Sequence, residues 1–389
     1  MKTARERAFR QFVLKIHSRC NLACAYCYVY TMADQGWRTR PRVLSPELRE
    51  RAAERIAEHA NGHGLTEVRV VLHGGEPLLA GTAALADCVR SVRAALDPGV
   101  HALISVQTNG TLLTEQRVRD LADLDVRVGV SLDGGPGGPG GQDRRVDHRG
   151  RGSHDRVLAG LRHLRAAGRP DSFAGLLATI DLAADPVGTY EALLAQAPPT
   201  VDFLLPHGNW SAPPPGRVPG DPATPYGDWL IAVFDRWYGA PARETSVRMF
   251  EEIIHGLFGG TPAVEGLGLA APAMAVVETD GAILLSDTLR STYPGAAGTG
   301  LDVRRHTFDE VLALPELRAQ HLGEQGLPAA CRPCGVRRVC GGGLRAHRYR
   351  AGAGFDRPSV YCADLLALIR HIRDVLTREV AALRAVGAP

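Results

Sequence analysis

The sequence predicts an α/β fold organised around a parallel sheet, and three observations carry that reading. Short apolar runs alternate with stretches of helical periodicity from Phe12 to about His207. The runs VRVVLH and FAGLLATI are almost continuously apolar, as expected of strands covered on both faces. The intervals between runs are long enough for the helices that must return the chain between parallel neighbours.

In order, the strands are expected at Phe12–His17, Glu67–His73, Ala102–Gln107, Val126–Leu132, Phe173–Ile180 and Val201–Leu205. The helices between them are expected at Pro46–His59, Ala83–Leu96, Glu115–Leu124, His154–Ala167 and Tyr190–Ala195. Gly134–Gly141 reads as a flexible glycine loop after the fourth strand. The prolines of His207–Pro225 exclude helix and central strand, so an extended surface segment is expected there. Helices then follow at Tyr226–Tyr238 and Arg248–Leu257. AVVETDGAILLS, Ala275–Ser286, reads as a hairpin turning at Asp280-Gly281. A helix from about Ala363 to Val386 closes the chain. The expected division is a domain over 1–210, a helical linker region over 211–270 and a smaller module over 271–389. Periodicity alone does not separate a partial barrel from a doubly wound sheet.

Composition narrows the function. A net charge of +3 over 389 residues argues against a general nucleic-acid binder. No apolar run reaches the roughly 20 residues of a membrane span, and the first residues lack the apolar core of a signal peptide. Eight cysteines without an export signal suit metal ligation in a reducing, cytoplasmic setting better than disulfides. Cys88 falls inside an apolar helix and reads as an inert buried thiol. The fourteen histidines are read as forming no metal-ligand spacing such as H-x3-H.

Two cysteine groups stand out. Cys20, Cys24 and Cys27 form C-x3-C-x2-C directly after the first strand, at the carboxyl edge where ligands of parallel sheets collect. Three thiolates can hold three irons of a 4Fe–4S cube and leave the fourth open, whereas an electron carrier takes four cysteines; a zinc knuckle is the competing reading. Cys331, Cys334, Cys340 and Cys362 supply four further ligands, for which spacing alone admits either zinc or iron–sulfur.

CNLACAYC resembles the signature of radical S-adenosylmethionine (SAM) enzymes, and several other segments agree. The resemblance implies a partial (β/α)6 radical SAM barrel with a C-terminal SPASM/twitch-like auxiliary-cluster module. It implies a SAM-binding 4Fe–4S cluster on Cys20, Cys24 and Cys27, with S-adenosyl-L-methionine chelating the open iron. HGGEP, ending the second strand, resembles the motif whose backbone (Gly74, Gly75) and carboxylate (Glu76) hold the methionyl ammonium. Tyr26 matches the aromatic position beside adenine. The resemblance places Ser131 of SLDG at the ribose and carboxylate of SAM, and QTNG, Gln107–Gly110, carries side chains suited to the same groups. Asp133 is as well read as a turn cap. Arg144 is assigned to the SAM carboxylate, with Arg145 beside it as the alternative. The second cysteine group implies one auxiliary 4Fe–4S cluster. A second is not expected, because the hairpin that ends in a cysteine in full SPASM modules ends here in Ser286. Asp287 matches an aspartate that accepts a proton in some SPASM enzymes, and also fits a turn residue.

Longer stretches, among them CNLACAYCYVYTMADQGWRTRP, FLLPHGNWSAPPPG, PYGDWLIAVFDRWYGAP and PSVYCADLLALIRH, look like the FxsB family of radical SAM/SPASM peptide maturases. That resemblance implies a ribosomally synthesised precursor peptide as substrate. It also implies abstraction of a Cβ hydrogen and closure of an aromatic ring-to-Cβ bond, a cyclophane. The alternative is a peptide maturase with another outcome: thioether formation, epimerisation, or serine or cysteine oxidation. The implied partners are the peptide, an external flavodoxin- or ferredoxin-type electron donor and, with only about eleven residues before the first strand and so no room there for a leader-binding domain, a separate leader-binding protein. An exposed strand edge or a groove between barrel and module is the alternative reader of the leader.

Overall fold

The computed structural model describes residues 8–136, 140–167, 169–262, 264–270, 273–320 and 322–386. Residues 137–139 of the expected glycine loop lie outside the described residues. The strands are β1 (Gln11–His17), β2 (Glu67–Gly74), β3 (His101–Thr108), β4 (Arg127–Ser131), β5 (Phe173–Thr179), β6 (Thr200–Leu204), β7 (Ser246–Val247), β8 (Met274–Val277), β9 (Ala282–Leu284) and β10 (Gly298–Asp302). The helices are α1 (Pro46–Gly62), α2 (Thr82–Ala95), α3 (Glu115–Asp123), α4 (His154–Ala166), α5 (Pro186–Leu194), α6 (Pro225–Tyr238), α7 (Arg248–Leu257), α8 (Phe308–Leu312), α9 (Pro315–Gln320), α10 (Arg337–Cys340) and α11 (Cys362–Val386).

One sheet takes the order β10-β9-β8-β1-β2-β3-β4-β5-β6-β7. β1 to β7 are parallel in sequence order, the topology of a partial barrel. The hairpin turns where expected, with Gly281 at φ +89°, a left-handed conformation that a side chain resists. Its first strand, β8, lies parallel to β1, so the C-terminal module shares the sheet and the core crosses the expected boundaries.

Alternation along the strands makes two unlike faces. Phe12, Leu14, Ile16, Val70, Leu72, Val106, Val128 and Phe203 join the large core under the helices. The opposite, inner face carries Val13, Lys15, His73, Gln107, Ser131 and Thr179. A sheet buried on both faces was expected; the inner one is polar, and it points into the barrel. The segment after β6 has no regular structure, as its prolines require, but it is no plain surface joiner. Asn209 and Arg217 are buried. Asn209 Nδ2 donates to Ser291 O (3.1 Å), Trp210 Nε1 to Pro358 O (2.8 Å) and Arg217 Nη2 to Val360 O (3.3 Å), stitching the barrel to the module.

Candidate active site

The cysteine loop is fixed at the carboxyl ends of the strands by contacts from four directions. Ala23 N donates to Val146 O (2.7 Å) and His148 Nε2 meets Cys20 O (3.0 Å). Asn109 Nδ2 reaches Cys20 Sγ (3.6 Å) and Asn21 Oδ1 (2.8 Å). Gly75 N donates to His17 O (2.8 Å) and Glu76 N to Arg19 O (2.9 Å), clipping the GGE turn to the base of the loop. The clip explains both glycines. A Cβ on Gly74 would stand 2.2 Å from His17 O, and one on Gly75 1.8 Å from Tyr30 Oη.

Glu76 is fully buried. Its Oε1 accepts from Leu78 N (3.0 Å) and Thr108 Oγ1 (2.7 Å), and Oε2 from Asn109 N (2.8 Å). A carboxylate has about four acceptor positions, so one remains, on Oε2. Burial pushes the Glu76 carboxyl above the usual range, against the pull of those donors. Thr108 and Asn109 of QTNG thus fasten Glu76 and the cysteine loop. Gln107 Nε2 donates to Ser131 Oγ (3.1 Å), fixing that hydroxyl on the inner face.

The two arginines separate. Arg144 lies over the Tyr26 ring (4.6 Å) but is committed to Asp181 (2.9 Å) and Thr179 O (3.2 Å). Arg145 is buried, donates to Tyr26 Oη (2.9 Å), stands 3.7 Å from Asp133 and keeps Nε without a partner. Tyr26 Oη also bonds Asp133, whose Oδ1 accepts from Thr179 N (2.9 Å). Asp133 is therefore more than a turn cap. Its field and that of Arg145 both reach Cys24. Arg145, passed over in favour of Arg144, is the better placed guanidinium, and the signal was the adjacent pair itself.

On the inner face, Lys15 and His73 are register neighbours, and Lys15 Nζ lies 3.1 Å from His73 Nδ1 and ion-pairs with Asp287. Asp287 also accepts from Tyr28 Oη (2.8 Å) and Arg290 Nε (2.6 Å). Burial would raise its pKa, but Lys15 and Arg290 overcome that and hold the carboxylate well below the usual range. Asp287 is thus an ionised acceptor with three donors already on it. Burial pushes His73 down to about 3 and His207 down to about 4, so both rings are neutral. Tyr28, His73 and His207 are half-buried, with the Tyr28 and His207 rings in contact (4.5 Å). The sequence singles out Asp287 of this group but not Lys15 or Tyr28, although a lysine inside FVLKIH, in a chain with only Lys2 and Lys15, is a visible anomaly.

The second cysteine set assembles around a turn of left-handed glycines. Gly341, Gly342 and Gly343 have φ of +61°, +78° and +72°, and Arg348 donates to all three carbonyls (3.0, 2.7 and 2.6 Å to Gly342, Gly343 and Gly341). Cys331, Cys334, Cys340 and Cys362 feel one another's charge, and Arg348 lies against Cys331 and Cys340. Tyr28, His207, His347 and Tyr361 make successive ring contacts (4.5, 5.8 and 4.9 Å) that run from beside Cys27 to beside Cys362. Ser286, at the position expected to lack a cysteine, bonds Glu265 (2.7 Å) and Thr288 (2.8 Å).

His59 and His63 do stand at H-x3-H spacing, a pair the sequence reading overlooked. With Asp309 they form, among the described residues, the group whose ligand atoms lie within 4.8 Å of one another. His59 Nε2 accepts from Phe9 N (3.0 Å), so its ring proton sits on Nδ1 and is given to Asp309 Oδ1 (2.7 Å). A metal on Nδ1 would set two N–H groups face to face, so this is a hydrogen-bonded clasp between α1 and α8. An apolar cleft of about 500 Å³, bordered by Trp237, Phe258, Leu376 and Leu383, lies on the outer helical face and shares no residue with the cysteine sites.

The donors suit the groups that the sequence implied. The first set offers three free thiols and the second four, the numbers that an open-iron cluster and a fully ligated one would use. The free Glu76 position and the orphaned Arg145 Nε suit an amine and a carboxylate, the two ends of an amino acid such as the methionyl part of SAM. Residues 14–182 match the profile of the Radical SAM superfamily. They form a radical SAM domain. Across the whole chain, similarity extends to serine-type anaerobic sulfatase-maturating enzymes. Identity is 22% to that of Bacteroides thetaiotaomicron over 377 residues, covering 91% of this chain and 86% of that protein. It is 26% to that of Klebsiella aerogenes over 370 residues, covering 93% and 86%. The structure described as native anSMEcpe with bound AdoMet and Cp18Cys peptide has the same fold, with a TM-score of 0.78 at 19% identity over 96% of this chain and 99% of that one. The similarity thus runs past the radical SAM domain over the C-terminal part of the chain as well.

Proposed function

We propose that this protein is a radical SAM enzyme that modifies a ribosomally synthesised precursor peptide, forming a carbon–carbon bond between an aromatic ring and a nearby Cβ. The supporting observation is the run of contacts between the two cysteine sets: the rings of Tyr28, His207, His347 and Tyr361 lead from beside Cys27 to beside Cys362, with the Lys15–Asp287 pair against Tyr28. Similarity to the sulfatase-maturating enzymes over more than 90% of the chain supports a peptide or protein substrate. The ring-to-Cβ outcome rests on the FxsB-like segments.

In this reading Cys20, Cys24 and Cys27 hold a 4Fe–4S cluster, and Cys331, Cys334, Cys340 and Cys362 a single auxiliary one. Glu76 takes the SAM ammonium and Arg145 its carboxylate, while Tyr26 and Ser131 border the remainder. When bound, the first cluster and SAM supply a 5′-deoxyadenosyl radical able to take a hydrogen atom from an unactivated carbon. The protein's own part is to position the substrate, to exclude water and to receive a proton. Asp287 is the proposed acceptor, through Tyr28 Oη or the Lys15 ammonium, which already hydrogen-bond to it. Ring closure removes two hydrogens from the peptide, one as the abstracted atom and one as a proton and an electron; a cluster held by Cys331, Cys334, Cys340 and Cys362 would supply the one-electron oxidant. An external flavodoxin- or ferredoxin-type donor and a separate leader-binding protein complete the proposed partners.

The names of the sulfatase-maturating relatives favour one second reading, oxidation of a serine or cysteine side chain. Serine oxidation also removes two hydrogens, so intact mass alone does not decide. The test uses the anaerobically reconstituted protein, SAM, reductant and the precursor encoded beside the gene. A crosslinked product resists fragmentation inside the ring and ignores hydroxylamine, whereas an oxidised serine fragments normally and forms an oxime. Cys24→Ala should abolish 5′-deoxyadenosine formation with the fold retained by circular dichroism. Cys334→Ala should lower peptide product more than 5′-deoxyadenosine. Wild-type protein that makes no 5′-deoxyadenosine would end the proposal.

A further inference from the structure

Two arginine-rich segments border the cysteine loop. GWRTRPR (Gly36–Arg42) and DHRGRGSHDR (Asp147–Arg156) carry six arginines against two aspartates. Both are tied to the residues that flank Cys20. On one side, Ser18 N donates to Arg42 O (2.8 Å), while Arg19 Nη1 reaches Trp37 O (2.7 Å) and Nη2 reaches Arg38 O (3.2 Å). On the other, Leu22 forms an antiparallel bridge with Asp147, and Ala23 N donates to Val146 O (2.7 Å). The acids do not balance this rim. Asp147 is buried and spends its oxygens on Arg149 N, Arg151 N and the Arg151 guanidinium (2.9, 3.0 and 2.9 Å). Asp155 lies against His154 (3.5 Å), and Arg40 is met by Asp280 (3.2 Å). Arg38, Arg42 and Arg149 are exposed and have no carboxylate partner among the described residues. Beside them His148 is exposed too, and its Nε2 meets Cys20 O (3.0 Å). A surface ring thus stands one hydrogen bond from the main chain of Cys20.

Unmatched guanidinium groups gathered on one surface attract an acidic partner and steer its approach. The same surface offers a flat contact, since Arg19 and Arg38 both lie over the Trp37 ring (5.0 and 5.3 Å); arginine and tryptophan are favoured in protein interfaces. We propose that this arginine rim is the docking surface of an acidic one-electron carrier protein, with His148 and the Cys20 main chain as the electron's way in. Charge selects an acidic partner, and the His148–Cys20 contact selects one that delivers an electron. The inference rests on the reading of Cys20, Cys24 and Cys27 as cluster ligands and deepens it by giving the external donor a place. The exchange balances as a single electron: an anionic flavin hydroquinone becomes the neutral semiquinone, and the cluster proposed on the three cysteines is reduced by one electron.

The test uses the full-length, anaerobically reconstituted protein with a flavodoxin and a bacterial ferredoxin as probes, binding being followed by calorimetry at low and high salt. The variant combines Arg38→Glu, Arg42→Glu and Arg149→Glu. It should bind the better of the two carriers at least about tenfold more weakly at low salt, and the salt dependence seen in wild type should flatten. Formation of 5′-deoxyadenosine driven by limiting reduced carrier should fall by a similar factor. In excess dithionite, which needs no docking surface, formation should match wild type, and that match with an unchanged iron content certifies fold and clusters. A control with the same change of charge, Arg370→Glu, Arg378→Glu and Arg384→Glu on the exposed side of α11, should leave carrier binding as it was. Carrier binding within about twofold of wild type in the rim variant, or an equal loss in the α11 control, would overturn the docking surface. So would a wild type that binds neither carrier, or a rim variant that loses affinity for the precursor peptide alone. Failure of the cysteine-trio reading shows separately, as an absence of 5′-deoxyadenosine even with dithionite.

Discussion

Lys15 shows how much of this site rests on one side chain. It sits 3% exposed on an otherwise apolar strand and carries one of the charges that match Asp287. Lys15→Met keeps the length of the side chain and removes the charge, leaving Asp287 with Arg290 and Tyr28. The expected cost is about 3 kcal/mol, because a buried carboxylate loses its pairing, and a lowered urea midpoint with an unchanged slope measures it. The neutral histidines add a pH dependence whose sign is fixed by burial. His73 and His207 are held down to about 3 and about 4, while in the unfolded chain they titrate near 6.5. Between pH 6.5 and about 4 the unfolded state binds more protons, so stability falls as pH falls through that window and levels off above it. His207→Phe should flatten the loss in urea midpoint between pH 7 and pH 5. Asp287, held below its ordinary value, keeps its stabilisation throughout that window and adds no slope there, losing it only in stronger acid. Asp287 was named from the sequence, but its partners were poorly legible for a physical reason: Lys15, His73, His207 and Asp287 come from four distant segments and meet only in the fold. The cysteine trio and GGE turn were legible because each is local, fixed within a few residues of a strand end.

At the scale of elements, the GGE turn is a device for joining two strand ends. β1 and β2 finish side by side, and the next peptide groups hydrogen-bond across, Gly75 N to His17 O and Glu76 N to Arg19 O. Space for that exchange exists only because Gly74 and Gly75 lack Cβ. Gly75→Ala would press a methyl against Tyr30 Oη and against the Arg19 carbonyl at 2.5 Å, and only the tyrosine can swing away. The expected result is a chain that folds with a displaced cysteine loop: iron content at the first site falls by half or more, while the second site stays filled. Iron analysis with electron paramagnetic resonance separates the two. Equal iron in variant and wild type would show that the loop tolerates the shift. Helix and strand positions for the first six repeats followed from periodicity, because each buries one continuous stripe. The polar inner face escaped notice because Val13 and Val71 on that face kept the runs apolar, and β7 was too short to leave a periodic trace. The hairpin's turn was visible in Asp280-Gly281, but its pairing with β1, across more than 250 residues of sequence, was not.

That pairing governs the whole molecule. β1 lies between β2 and β8, so the strand carrying the cysteine loop is an interior strand only when the C-terminal module is present. Arg10 N and Gln11 N both donate to Ala273 O, extending the same seam, and Phe9 and Phe12 pack with Phe308 of α8 (6.2 and 4.8 Å between ring centres). A chain ending at residue 270 would keep every residue of the radical SAM domain yet leave β1 with one open edge and an uncovered aromatic cluster. Open apolar edges pair with other chains, and the lost ring contacts alone bury two fully enclosed phenylalanines, Phe9 and Phe12, each worth about 1.5–3 kcal/mol of burial. Against the few kcal/mol by which domains are stable, that loss is decisive. The shortened chain is therefore expected to aggregate or to elute as a larger species in size-exclusion chromatography, and to take up less iron at Cys20, Cys24 and Cys27 than the full chain. A monomeric fragment with a full cluster would mean that the barrel stands by itself. The auxiliary module would then be an attachment, where the shared strand makes it a wall of the site.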